Sequence, residues 1–241
     1  MRYILLFFIA IFAYSKTITA TYVAKYGWFG TIATAKGTYE SNETNYKITA
    51  IVKTKGIAAT LSGDLIQTYT SIGIIKNNIL IPEKYIVDIK RGGNDYFRIY
   101  LFDHKHKKVF KKRFKNGKLT KQYPYYYAKD DILTLYWNLP SYIKDTNASF
   151  YTFHAVGGSK KNGRVDITFL KGEELNEIKR IFDKKGIFVK ANLYNKVFVG
   201  DKGILYLVID PNSWVTLEGM VKNVMKIGNL KGKIKSLQIL P

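Results

Sequence analysis

Few side chains in this sequence are of types that do chemistry, so their spacings are weighed first. The three histidines include one close pair, His104 and His106, separated by Lys105. On a strand, residues i and i+2 share a face, and two imidazoles so placed would grip a metal ion if a third ligand joined them. Only His154 or a carboxylate such as Asp88 offers that ligand, and lysines at 105, 107, 108, 111 and 112 would repel the cation. A basic, solvated hairpin is the plainer reading, and no metal or other cofactor is expected. Ser141-Tyr-Ile-Lys144 has the serine–x–x–lysine spacing of penicillin-recognising enzymes, but the two further elements their chemistry needs are missing. No nucleophile-elbow serine, phosphate loop, dinucleotide fingerprint or paired-acid arrangement is present either. The balance falls against an enzyme.

Two asparagines carry a sharper signal. Asn42-Glu-Thr44 and Asn147-Ala-Ser149 are N-x-S/T acceptors in turn-like segments, and each has an acid two residues upstream, Glu40 and Asp145. That extended pattern resembles the acceptor of periplasmic N-glycosylation systems. With 18 acids in 241 residues, both acids would fall there by chance in roughly one case in two hundred. The remaining chemistry is aromatic. Tyr125, Tyr127, Tyr136 and Trp137 concentrate around an apolar segment that also holds Ile132 and Leu135. Large rings there fill a core, or they line a groove with hydroxyl handles suited to an acyl chain.

The elements that must position these residues are mostly strands. In Tyr46–Lys53, Tyr46, Ile48, Ala50 and Val52 face one way and Lys47, Thr49 and Lys53 the other, the period of a half-buried antiparallel strand. Tyr85–Lys90 and Phe97–Asp103 behave similarly, and Asn77-Asn78, Arg91-Gly-Gly-Asn94 and Asn116-Gly117 mark hairpin turns. Gly56–Thr60 reads as a short helical turn. Asp130-Asp131 offers an N-cap to a helix over Ile132–Trp137, which Pro140 should stop. Glu173–Phe182, with acids first and bases last, is a second helix. Strand patterns resume over Gly186–Tyr194, Gly203–Asp210, Trp214–Met220 and Gly232–Leu240. The expected fold is mainly β: a strongly curved antiparallel sheet, half-barrel or open barrel, with one or two short α-helices and Ile132–Trp137 as the plug of its concave face.

Arg2 followed by an apolar run from Tyr3 to Tyr14 reads as a signal peptide, too short to span a membrane. Small residues at Ala13 and Ser15 place cleavage after Ser15; cleavage after Ala20 would set Ile18 at −3 and fits less well. The division is then residues 1–15 as leader and 16–241 as one mostly β domain, with Lys144–Asn147 the best place for a weak subdivision. No later segment is a transmembrane candidate. The absence of cysteine excludes disulfides, thiolate metal sites and a thioether lipid anchor, and export without disulfides points to a bacterial envelope. Net charge is +21, but only five basic residues after the leader are arginines, which argues against base reading and nucleic acid. Lysines can instead hold a protein near anionic headgroups or glycans.

Tyr26-Gly-Trp-Phe-Gly-Thr-Ile-Ala-Thr-Ala35 resembles the opening of the bacterial exported family known as domain of unknown function 3108. Tyr46–Ala50 with Thr54-Lys-Gly56, Pro82–Tyr85, Phe102-Asp-His104, Gly203–Asp210, and Gly228 with Lys231–Ile234 follow in that family's order. The Pro211-Asn212 after Asp210, and the stretch from Ser149 to Lys185, depart from it. The resemblance implies a Gram-negative periplasm and a curved sheet, and supplies no catalytic residue. The function expected is a non-enzymatic periplasmic protein binding an envelope lipid, amphiphile or protein partner. The alternatives are an envelope hydrolase acting on glycan or peptidoglycan, and a structural or assembly factor.

Overall fold

The computed structural model describes residues 16–143, 149–159, 161–194, 203–224 and 228–241. Residues 1–15, expected to be a leader, and Asn147 and Lys144 lie outside those residues. Fifteen strands among the described residues form one sheet. Eight of them come first: β1 (Lys16–Lys25), β2 (Thr31–Ser41), β3 (Asn45–Thr54), β4 (Ile66–Lys76), β5 (Ile79–Arg91), β6 (Asn94–Asp103), β7 (Lys108–Lys115) and β8 (Lys118–Tyr125). They make a meander running outward from β1. The chain then crosses through residues 126–129 to the opposite edge. It returns through β9 (Asp130–Asp131), β10 (Phe150–Val156), β11 (Arg164–Phe169), β12 (Ile187–Leu193), β13 (Gly203–Ile209), β14 (Thr216–Val224) and β15 (Gly228–Leu240). β15 pairs with β1, Thr17 opposite Leu240 and Lys25 opposite Lys231. The short β9–β10 pairing is parallel and the other pairings are antiparallel.

The two edges of this sheet, β8 and β9, are consecutive in the chain. Four linking residues cannot reach far, about 18 Å at full stretch, so the sheet must curl until its edges nearly meet. It does not close. The edges are bridged by Tyr126 instead, whose hydroxyl donates to Ser159 O at 2.7 Å and accepts from Gly157 N at 3.3 Å. Lysines 118 and 121 on the exposed β8 edge discourage pairing with another strand.

Helix α2 (Ile132–Tyr142) fills the curl. Leu135 and Leu139 pack against Ala155, Val165, Ile167, Val189 and Ile209 on one wall. Leu133 and Trp137 pack against Ile18, Tyr39, Tyr46 and Ile48 on the other. Ile132 and Leu133 meet Tyr85, Val87, Tyr100 and Val109. The helix thus meets the sheet on three sides, as its broad apolar surface requires, while Pro140 and Ser141 near its end are exposed. Contrary to the sequence expectation, Pro140 does not stop it: the helix runs one further turn, and Ile143 N reaches Leu139 O at 2.9 Å. Burial of Leu139 and Ile143 outweighs the hydrogen bond that the proline ring forfeits.

Helix α3 (Gly172–Ile181) lies on the opposite, convex face of β12–β14, where Ile178 packs against Phe188, Tyr206, Val208 and Met220. β13 is therefore covered on both faces, which accounts for its unbroken apolar run. Helix α1 (Gly56–Ser62) is short and buries none of its residues. The expected hairpin turns form, with Asn77, Asn78, Gly92, Gly93, Asn116 and Gly117 all at positive φ, the mirror-image geometry that suits strand twist. β10 and β11 are elements that the sequence reading did not assign.

Candidate functional site

The N-terminus of α2 is built on two buried carboxylates. Asp131 Oδ1 accepts from Leu133 N and Thr134 N at 2.9 and 3.1 Å, the N-cap that the sequence suggested. Its Oδ2 accepts from Ser71 Oγ at 2.6 Å and Thr134 Oγ1 at 2.9 Å. With both hydroxyls donating inward, Tyr46 OH completes the cluster at 2.8 Å from Thr134 Oγ1. Burial pushes the Asp131 carboxyl up to about 6, against the pull of those hydrogen bonds. Burial likewise raises Asp130, which accepts from Asn138 Nδ2 at 3.0 Å and Tyr142 OH at 3.0 Å. Asn138 also exchanges hydrogen bonds with the Leu80 backbone, 2.9 and 2.8 Å. A serine beside a carboxylate invites a nucleophile reading, but Ser71 and Asp131 are fully buried and no substrate reaches them. The network fixes the plug in register with β4 and β5.

The opposite end of the plug opens on a cavity of about 530 Å³. Tyr39, Tyr136, Trp137, Trp214, Ile18 and Leu80 line part of it, and polar side chains including Lys16, Asn78 and Asn138 line the rest. Tyr39 and Trp137 lie 4.6 Å apart between ring centroids. Trp214 is held at φ +58, a strained conformation for so bulky a residue. Its turn is secured by Asp210, whose carboxylate accepts from the Ser213 amide at 2.7 Å, the Ser213 hydroxyl at 2.9 Å and the Asn212 amide at 3.1 Å. Those hydrogen bonds hold the Asp210 carboxyl below its usual range. Tyr136 OH donates to Trp214 O at 2.8 Å and accepts from Thr216 N at 3.0 Å.

The six groove residues named from sequence divide in this arrangement. Tyr136 and Trp137 line the cavity. Leu135 is buried in the core, and Ile132 packs between two core clusters. Tyr125 meets Tyr126 at 4.2 Å between tilted rings, and Tyr127 hydrogen-bonds His104; both pack on the Tyr85–Val109 cluster at the N-terminal end of α2, away from the cavity. The histidine pair does not converge. Residues 104–107 form the turn between β6 and β7 rather than a strand, so the two rings are not held on one face. His104 sits between Tyr127 OH (3.1 Å) and Pro82 O (2.6 Å), and His106 faces Asp103 at 2.7 Å. Among the described residues no three metal-ligating side chains cluster. Asn42 lies in the β2–β3 turn, where its Oδ1 accepts from Thr44 N at 3.0 Å and Asn45 N at 2.6 Å, an Asx turn.

No protein-family model matches the chain, and no curated protein matches it in sequence. Among solved structures, the chain is similar to a crystal structure of a beta-barrel-like protein of domain of unknown function DUF1849 from Brucella abortus. The two superpose with a TM-score of 0.52 over 95% of this chain and 98% of that one, at 8% identity. The likeness is one of fold. A beta-barrel-like architecture is thus shared with a bacterial protein of unknown function.

The cavity's signal was only half visible in sequence. Tyr136 and Trp137 stand in the aromatic cluster, but Tyr39, Leu80 and Trp214 come from β2, β5 and the β13–β14 turn, distant in the chain. The positive φ of Trp214 has no sequence signature at all.

Proposed function

We propose that this chain is a non-enzymatic, exported binding protein whose aromatic cavity takes the apolar portion of an envelope amphiphile. The observation that carries this is the cavity at the C-terminal end of α2, with the tilted ring pair of Tyr39 and Trp137 on its wall and Tyr136 bracing the strained Trp214. Its size suits one small ligand or part of a chain. Lys16 stands at its mouth. Cleavage of the leader after Ser15 would set a free α-ammonium beside that lysine, and two cations there suit an anionic head such as a carboxylate. The resemblance to domain of unknown function 3108 and a periplasmic address belong to this proposal, as does a single domain over residues 16–241.

The test uses lauric acid as the probe. Quenching or enhancement of tryptophan fluorescence should saturate with the wild-type protein, and Trp137→Ala should weaken it by about ten-fold or more, the loss of one buried aromatic contact. Native mass spectrometry of protein from its own host should show a co-purifying lipid. No saturable binding, together with an apo mass from the host, would overturn the reading.

A further inference from the structure

A second cavity, of about 600 Å³, opens at the other end of β5. β5 carries Leu80 near one end, at the aromatic cavity, and Ile89 and Arg91 at the other, about 30 Å away along the strand. Three of the five arginines outside the leader converge on this second cavity, Arg91, Arg98 and Arg113. Strand alternation places them on the concave face. Arg98 is two residues from buried Tyr100 on β6 and stands opposite Val87, while Arg113 is four from buried Val109 on β7.

The register makes the arrangement costly. Arg98 stands directly opposite Arg113, and Arg113 directly opposite Lys121, so three cations form one row across β6, β7 and β8. Like charges directly opposite on a sheet destabilise it. Asp88 and Asp95 alternate to the convex face and Asp64 is not among the lining residues, so no carboxylate answers the row. Among the described residues, the ion pairs engage none of these three arginines. The neighbouring rows add more positive charge on tyrosine faces: Lys111 over Tyr125 at 4.5 Å and Tyr100 at 4.9 Å, and Lys115 over Tyr96 at 5.7 Å. An uncompensated arginine row is what a phosphate with several acceptor oxygens would neutralise, by fork-shaped donors suited to it.

The rim of the same cavity is apolar and projects outward. Leu61, Ser62 and Gly63 line it, and the end of α1 is tied to the β5–β6 hairpin by Gly92 N to Gly63 O at 2.8 Å. On α1, Ile57 and Leu61 are 60% and 82% exposed and share a helix face at i and i+4. Two bare aliphatic side chains beside an arginine pocket match the layering of a bilayer surface, acyl chains beneath phosphates. We infer that this end of the sheet docks on anionic membrane, the arginine pocket taking a lipid phosphate and Ile57 and Leu61 entering the acyl boundary.

The test is co-flotation of the purified protein with phosphatidylcholine vesicles, with or without phosphatidylglycerol. Binding should require phosphatidylglycerol and weaken as salt rises. The double variant Arg98→Gln/Arg113→Gln should lose roughly ten- to thirty-fold in vesicle affinity, and Leu61→Ser about ten-fold. The arginine variant should melt no lower than wild type, because it relieves the like-charge row. It should also still bind lauric acid at the Trp137 cavity, which separates this inference from the function proposed above. Equal binding to both vesicle types, or unchanged binding by the double variant, would overturn the inference. Arginine-dependent binding of glycerol phosphate without flotation would overturn it too, in favour of a small soluble anion.

Discussion

Asp131→Asn should make the protein more stable at neutral pH, which inverts the usual effect of disturbing a buried hydrogen-bonded carboxylate. In the folded state the Asp131 carboxyl titrates at about 6, from an ordinary 3.8, because burial penalises its charge more than four hydrogen bonds reward it. A group that holds its proton more tightly when folded contributes stability that is fully present below its unfolded pKa and is lost as pH rises through its folded one. At 1.36 kcal/mol per unit, the loss is about 3 kcal/mol between roughly pH 4 and pH 6. The asparagine amide keeps the acceptor that caps α2 and offers its NH₂ to Ser71 and Thr134, without ever charging. Wild type and Asp131→Asn should thus unfold with similar stability at about pH 4. By about pH 7 the variant should be ahead by a few kcal/mol. The assay is urea unfolding followed by tryptophan fluorescence at steps of pH, read as the difference between the two proteins. The difference matters because Asp103, Asp166, Glu174, Asp183 and Asp210 shift the opposite way and impose their own slope on both proteins at acid pH. A difference that stays flat with pH, or that favours wild type as pH rises, would refute the reasoning. Asp131→Ala is the control: it loses the cap, about 1 kcal/mol, and should be weaker than Asp131→Asn at every pH.

Two further outcomes follow from the fold. Gly73 sits where β4 bulges against β5, and a Cβ added there would come within 2.0 Å of the Ile81 carbonyl oxygen and 2.8 Å of Pro82 Cα. Backbone cannot step aside cheaply, so Gly73→Ala should cost about 2–4 kcal/mol in the same urea assay, whereas an unchanged midpoint would show the bulge to be soft. Intact mass of protein from its own host should correspond to a chain beginning at Lys16, since cleavage after Ala20 would remove Ile18 and Ala20 from the core. It should also show glycan on Asn42, lost in Asn42→Gln; an unmodified mass would remove that idea.

The strand meander was legible because its inner face is marked by large side chains at period two, Tyr46 and Ile48 on β3 or Tyr85 and Val87 on β5, and its turns by Asn-Gly and Gly-Gly. β10 was not legible: Phe150-Tyr-Thr-Phe-His places aromatic rings on both faces and erases the alternation. β11 hides a buried Asp166 in mid-strand, satisfied there by Arg164, Thr152 and Tyr194. Pro140 misled because local propensity ignores the tertiary contacts of Leu139 and Ile143. Candidate sites fared worse for a general reason. Pairings such as Ser71 with Asp131, or Arg98 with Arg113, depend on register, and register is settled by a whole sheet rather than by neighbours in the chain. The scarcity of arginine was visible in composition, but its concentration in one row was not.

The pairing of β1 with β15 has a consequence for how the chain matures. β1 precedes every other described strand in the chain, yet half its backbone groups wait for a partner more than two hundred residues later. β2 can pair early, but the seam at the centre of the sheet stays open until β15 emerges. Until then β1 offers a bare edge, and an unpaired edge is where chaperones bind and aggregation begins. The architecture thus defers its own completion until β15 is made.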